Sequence, residues 1–184
     1  MIFDLIKNRR SIFPAQYINK PIAKDTIEKI LEAANWAPNH RKTEPWRFKV
    51  MHGVSQTKLG EFLMNTYIDI TPKPKQIKAK KILENPTKSG AVIAICMQRD
   101  DAESIPEWEE IAAVAMAVQN MWLCCTEMGI GCYWSSPELI KYTGDFFNLQ
   151  EGEKCLGFFY MGYYDSEIPE GIRQPIADKT IWMD

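Results

Sequence analysis

Histidine is nearly absent: His40 and His52 are the only two in 184 residues, and neither stands in ligand spacing with a cysteine. A zinc site therefore lacks a recognisable donor set. Cysteine is sparse and odd in number. Cys96, Cys124, Cys125, Cys132 and Cys155 form no C-x-x-C pair and lie mostly within apolar runs, so they read as reduced core residues. An excess of charge of one sign is also missing. With 22 Lys and Arg against 24 Asp and Glu, the net charge of -2 gives no reason to expect nucleic acid or an anionic membrane as partner. The longest apolar run, residues 111–125, is too short for a membrane span and contains Gln119 and Asn120. The first ten residues carry Asp4 early and Lys7, Arg9 and Arg10 late, the reverse of a secretory signal, so a cytoplasmic location is expected. No Ser/His/Asp arrangement and no carboxylate pair in an identifiable cleft can be picked out. The lone Gly129-Ile130-Gly131 follows a helical pattern and precedes a strand, which is the wrong order for dinucleotide binding.

What is present fits one domain over residues 1–184, because the chain is long enough for a sizeable core and short for two. Ile2, Leu5 and Ile6 share one face of a short first helix that delivers Arg9-Arg10-Ser11 to its end. Two guanidiniums beside a hydroxyl suit an anion, since each offers a planar fork of donors. A second helix carries Ile27, Ile30, Leu31 and Ala34 inward and ends before Pro38. Residues 45–50 read as a strand, and Ser55 is placed to cap a third helix. Residues 70–90 form a basic, proline-interrupted excursion, expected to be mobile and partly helical. Residues 91–97 read as a central strand buried on both faces. Ser104 and Glu107 have capping-box spacing before a long helix that is apolar all round and therefore buried on all sides, in a core or against a partner. Gly129 and Gly131 stop it. A short strand over 132–135 follows, then a helix from Ser136-Pro137 through Phe146, then the strongest strand signal at 155–164. The tail, 165–184, has little core of its own, and Ile176, Ile181 and Trp182 need covering, which points to a second subunit. The order gives an α+β fold with a sheet covered by helices.

Four motifs can then be read together: Arg9-Arg10-Ser11; Ala37-Pro38-Asn39-His40 followed by Pro45-Trp46; Gly129-Ile130-Gly131-Cys132-Tyr133-Trp134-Ser135-Ser136; and Gly162-Tyr163-Tyr164 followed by Arg173-x-Pro175. Their order and spacing resemble the nitroreductase family of FMN-dependent oxidoreductases, in particular its short single-domain members. The resemblance runs from Phe3 to about Pro175.

The resemblance implies a mostly antiparallel central sheet flanked by helices, a C-terminal tail extending onto a partner, and a homodimer with two FMN sites built from both chains. Arg9 and Ser11 would bind the FMN phosphate and ribityl chain with Arg10 between them, and Arg173 would reach the same phosphate. Pro38, Asn39 and His40 would be laid by the partner against the flavin ring, with Trp36 behind. Trp134, Ser135 and Ser136 would run along the flavin edge, where a backbone N–H can favour charge building at N5. NADH or NADPH would supply the hydride, and a small-molecule electron acceptor such as a nitroaromatic or quinone would receive it. Reduction of alkenes or carbon–halogen bonds, and FMN binding without turnover, stay open as alternatives. Two departures stand out. Phe13 occupies a position where many members carry a Lys or Arg against the flavin pyrimidine, and Glu44 stands where Gln is common.

Overall fold

Every residue of Ala91–Met97 is buried, and this strand is the axis of the structure. A computed structural model describes residues 1–183; Asp184 of the tail lies outside the described residues. Four strands, β1 (Trp46–Met51), β2 (Ala91–Gln98), β3 (Ile130–Ser135) and β4 (Glu153–Tyr163), form one sheet in the order β1-β2-β4-β3. All three strand pairs are antiparallel, as expected, and a single parallel bridge joins Ser11 to Cys132 at the β3 edge.

Alternation along β2 sends Ile93, Ile95 and Met97 to one face and Val92, Ala94 and Cys96 to the other. The first face is covered by α2 (Lys24–Asn35) and α5 (Glu107–Glu127), through Ile27, Ile30 and Ala34 and through Val114, Val118 and Met121. The second is covered by α3 (Val54–Ile70) and α4 (Gln76–Lys88), with Leu59, Leu63, Tyr67 and Ala79 in its core. A helix layer on each face of one sheet buries apolar surface on both sides, which is why β2 reads as a continuous apolar run. All five cysteines are free, and four of them are buried.

The basic excursion is partly helical, as expected: its helix, α4, packs against α3, with Pro86 tolerated in its last turn. Several other local expectations are corrected. Ser55 is not the N-cap of α3. Gly53 holds that position with φ +63°, and its N–H donates to Gln56 Oε1 at 2.8 Å. Ser104 does not cap α5: its N–H and Oγ both donate to Asp100 Oδ2, at 2.9 and 2.6 Å, and Pro106 is the N-cap. Gly131 lies inside β3, so Gly129 alone ends α5, with φ +68°. The helix expected from Ser136 to Phe146 divides into a 3-10 turn, Glu138–Tyr142, and a single turn, α6 (Gly144–Phe147). The buried Thr143 hydroxyl donates back to Ile140 O at 2.8 Å between them. The protomer's own core covers one side of α5 and leaves Trp108, Ile111 and Met116 open to solvent.

The α3–α4 contact is close enough to demand glycine. A Cβ on Gly60 would stand 2.4 Å from Leu83 O, a main-chain atom that cannot swing away. Gly60→Ala should therefore push the two helices apart and cost about 1–3 kcal/mol, read as a lower urea midpoint with an unchanged slope.

Candidate functional site

The first group of expected site residues is held by α1 (Ile2–Asn8), by the segment that runs beside β3, and by the tail. Ile12 N–H donates to Cys132 O at 3.1 Å, fixing residues 9–13 along the sheet edge. Arg9 projects so that its guanidinium carbon lies 4.6 Å from the centre of the Trp122 ring on α5. Burial, followed by the charge of Arg173 and that of Arg10, lowers the pKa of Arg9. Neither Arg9 nor Arg173 has a carboxylate within ion-pair distance among the described residues. Arg9, Arg10 and Arg173 line one cavity of about 520 Å³ with Lys7, Phe3 and Ile6. Cations this close without a counter-charge repel one another, and an anion between them relieves that repulsion.

Arg10 is engaged differently. Its side chain donates to Lys7 O at 2.7 Å, to Arg9 O at 2.8 Å and to Pro169 O at 3.2 Å, so it ties the tail to the end of α1. Gly171 completes that clamp, since a Cβ there would lie 2.5 Å from the Arg10 guanidinium carbon. Ser11 is exposed beside Cys132.

The second group sits on the loop between α2 and β1. Pro38, Asn39 and His40 border a cleft of about 320 Å³ with Trp108, Glu109, Ala112 and Met116 of α5. His40 Nδ1 lies 2.6 Å from Glu109 Oε2 on α5. Asn39 Oδ1 accepts from Glu44 N–H at 3.2 Å. Arg41, Lys42 and Glu44 adopt positive φ of 52°, 56° and 41°, a costly conformation for non-glycine residues that the surroundings must hold in place. Trp36 is largely exposed and its Nε1 donates to Glu32 Oε1 at 2.8 Å. Trp46, buried, fixes the far end of the loop by donating to Asn35 Oδ1 at 3.2 Å.

The third group closes β3. Trp134 Nε1 donates to Leu156 O at 3.2 Å, and a Cβ on Gly157 would come within 2.2 Å of that nitrogen. Gly157 lies beside the register shift between Ile95 and Cys96, where the strand bends to admit the indole. Ser135 is half-buried and faces a cavity between α3, α4 and the sheet, whereas Ser136 is exposed.

The structure brings Arg9, Arg10 and Arg173 together, but it does not bring Pro38–His40 to them. Both groups touch α5, at Trp122 and at Glu109, 13 residues apart; at 1.5 Å per residue that is about 20 Å along one helix. Sequence reasoning did not find Glu109, Trp122, Gly157 or Gly171. Trp122 stood in the apolar pattern of the long helix, while the others had no signal apart from their folded neighbours.

A sequence profile described as "Nitroreductase family" matches residues 6–163. The chain belongs to the nitroreductase family. This member is 32% identical over 186 residues to the Bacillus subtilis (strain 168) protein named "Putative NAD(P)H nitroreductase YfhC", covering 98% of this chain and 93% of that protein. Its structure resembles that of a nitroreductase-like family protein from Bacillus cereus, with a TM-score of 0.87, 28% identity, and coverage of 100% of this chain and 96% of the other. A nitroreductase with bound FMN from Bacteroides fragilis NCTC 9343 shares the fold at 21% identity and a TM-score of 0.72, with 100% and 98% of the chains covered. The α+β class expected from the order of elements and the nitroreductase-like fold implied by the four motifs are both borne out.

Proposed function

We propose that this chain is a single-domain FMN-dependent oxidoreductase that takes hydride from NADH or NADPH and passes it to a small acceptor, such as a nitroaromatic or a quinone, in a ping-pong sequence. FMN, when bound, supplies the hydride-accepting and hydride-donating chemistry. The observation that carries this reading is the guanidinium cluster. Arg9 and Arg173, crowded and with no carboxylate in ion-pair distance among the described residues, suit a phosphate monoester, which carries roughly -1.5 to -2 charge near neutral pH. Family membership and the FMN held by a relative of the same fold point the same way.

The chain's own residues bind, orient and exclude water. Arg9 and Arg173 would hold the phosphate, Ser11 would lie along the ribityl chain, and Arg10 would keep the tail in position. Trp134, Ser135 and Ser136 would border the flavin edge at the open end of β3. Pro38, Asn39 and His40 would come from a second copy. An antiparallel pairing of two α5 helices places the Glu109 end of one beside the Trp122 end of the other, joining the two groups that one chain keeps apart. The apolar surface for such a pairing exists: Trp108, Ile111 and Met116 on α5, Phe3 and Ile6 on α1, and Ile176, Ile181 and Trp182 on the tail are all exposed in the protomer. A cytoplasmic homodimer follows from this reading.

Purified protein should be yellow and should gain thermal stability from FMN. Under anaerobic conditions NADH or NADPH should bleach it, and an added quinone should restore the colour. Retained colour without bleaching would make it a flavin carrier, and a colourless protein that FMN does not stabilise would contradict the reading altogether.

A further inference from the structure

The tip of the α3–α4 hairpin carries a concentration of charge that the chain's overall balance conceals. Residues 70–81 hold Lys73, Lys75, Lys78, Lys80 and Lys81 and no acid. Taking those five from the 22 Lys and Arg leaves 17 against 24 Asp and Glu, a net of -7 on everything else. All five are exposed. Lys73, Lys75, Lys78 and Lys81 have no carboxylate within ion-pair distance among the described residues. Lys80 reaches Glu84 at 3.7 Å, a carboxylate that Lys88 also holds at 2.7 Å. The patch shares no residue with the cavity lined by Arg9 and Arg173.

The fold presents these ammoniums on a pinned turn. Lys75, the N-cap of α4, donates its N–H to the Tyr67 hydroxyl of α3 at 3.1 Å, and Pro72 and Pro74 restrict the chain between them. Lys78 lies over the same ring, its ammonium 4.9 Å from the ring centre. On α4 itself Ala79 is buried, which turns Ile77 outward, and Lys80 and Lys81 follow at i+3 and i+4 to flank it. Ile77 is 88% exposed, and Ile68 and Ile70 in the last turn of α3 are exposed at the same end of the hairpin. From Ile77 to Lys81 the helix rises about 6 Å, inside the screening length of about 8 Å at physiological ionic strength, so these charges act together.

We propose that this tip docks reversibly on an anionic lipid surface, with Ile77 entering the boundary between headgroups and acyl chains and the lysines paired with lipid phosphates around it. A protruding isoleucine ringed by lysines suits that boundary, where the alkyl stems of lysine cover apolar surface while the ammoniums stay among the headgroups. A protein partner fits less well, because protein interfaces are depleted in lysine and centre on a larger apolar core. Nucleic acid also fits less well, since residues 70–81 interleave no aromatic side chain for base stacking. The net of -7 on the rest of the chain is repelled by the same surface that attracts the tip, which orients the molecule with the hairpin toward the lipid.

The test is co-sedimentation of the full-length protein with vesicles of phosphatidylcholine alone and of equal parts phosphatidylcholine and phosphatidylglycerol, with polyglutamate in solution as a second polyanion. The protein should bind the anionic vesicles, ignore the neutral ones, and release as salt is raised to about 1 M, where the screening length falls to about 3 Å. Lys80→Ala and Lys81→Ala should each weaken binding by about fivefold, and the combined Lys73→Ala, Lys75→Ala, Lys80→Ala and Lys81→Ala protein should not bind. Ile77→Ser, which keeps every charge, should weaken vesicle binding by about tenfold. These side chains are exposed, so melting temperatures should hold, and Lys24→Ala on α2 should bind as wild type does. No binding to the anionic vesicles, or binding that the lysine variants or Ile77→Ser leave unchanged, overturns the proposal. Binding to polyglutamate but not to vesicles overturns it as well and assigns the patch to an acidic protein.

Discussion

Arg9→Ala is expected to weaken FMN binding by about a hundredfold or more. Charge-assisted hydrogen bonds from a guanidinium to phosphate are worth about 1.5–3 kcal/mol each, and a forked contact makes two. Arg9 already bears the cost of partial burial over Trp122 and of repulsion from Arg173 and Arg10, both of which a dianion offsets. Arg173→Ala should show a loss of similar size, because it faces the same cavity. Arg10→Ala should differ in kind. Its donors hold Lys7 O, Arg9 O and Pro169 O, so removing them should expose the tail to protease and reduce flavin affinity less. Lys81→Ala, on the outer surface of α4, is the control. Fluorescence titration of apoprotein with FMN separates these cases, and equal losses for Arg9→Ala and Lys81→Ala would refute the phosphate assignment.

The largest stability effect is expected at Glu110. This carboxylate is fully buried; it accepts from Arg99 Nη1 and, at 2.9 Å, from Asp100 N–H, while Arg99 Nη2 donates to Ile105 O at 2.6 Å. Together these bonds fasten the loop between β2 and α5 to the first turn of α5. Glu110→Ala removes the buried carboxylate from the Arg99 guanidinium, which keeps only its bond to Ile105 O and the longer approach to Glu103, and leaves the Asp100 N–H without its acceptor. The melting temperature should fall by about 10 °C. Glu110→Gln keeps an acceptor and should lose less. Combining Glu110→Met with Arg99→Met removes the need for pairing and should recover much of the loss, which a double-mutant cycle would show directly. The effect should also reach the site, because Glu109 is the residue beside it and the partner of His40.

Glu110 illustrates what sequence could not show. In the sequence it is one of three acids near the start of an apolar helix, and its partner Arg99 lies across a loop whose path is set only on folding. Strands β2 and β4 were legible because their apolar runs are long and β-prone, and the guanidinium motif because Arg9-Arg10-Ser11 is contiguous. The helix ends were misread where a nearer competitor won: Asp100 takes Ser104, and Gln56 takes the N–H of Gly53. Glycine requirements at Gly60, Gly157 and Gly171 had no signal, since each is imposed by a neighbour distant in sequence. The loop Pro38–His40 was legible as the connection between α2 and β1, but its distance from Arg9 within one chain was not. That distance is what requires a second subunit if the proposed flavin site is to include both groups.

Mixing two inactive variants tests that role most directly. Arg9→Ala disables the phosphate half of a site, and a bulky substitution such as Asn39→Trp should disable the loop half. Each variant purified alone should bind little flavin. In dimers formed from equal amounts of the two, one site of each heterodimer draws Arg9 and Asn39 from the intact parts of both chains. With half of the dimers mixed, about a quarter of wild-type flavin binding should return. If no flavin binding returns although mixed dimers form, then both halves of the site belong to one chain, and the two-chain account is wrong.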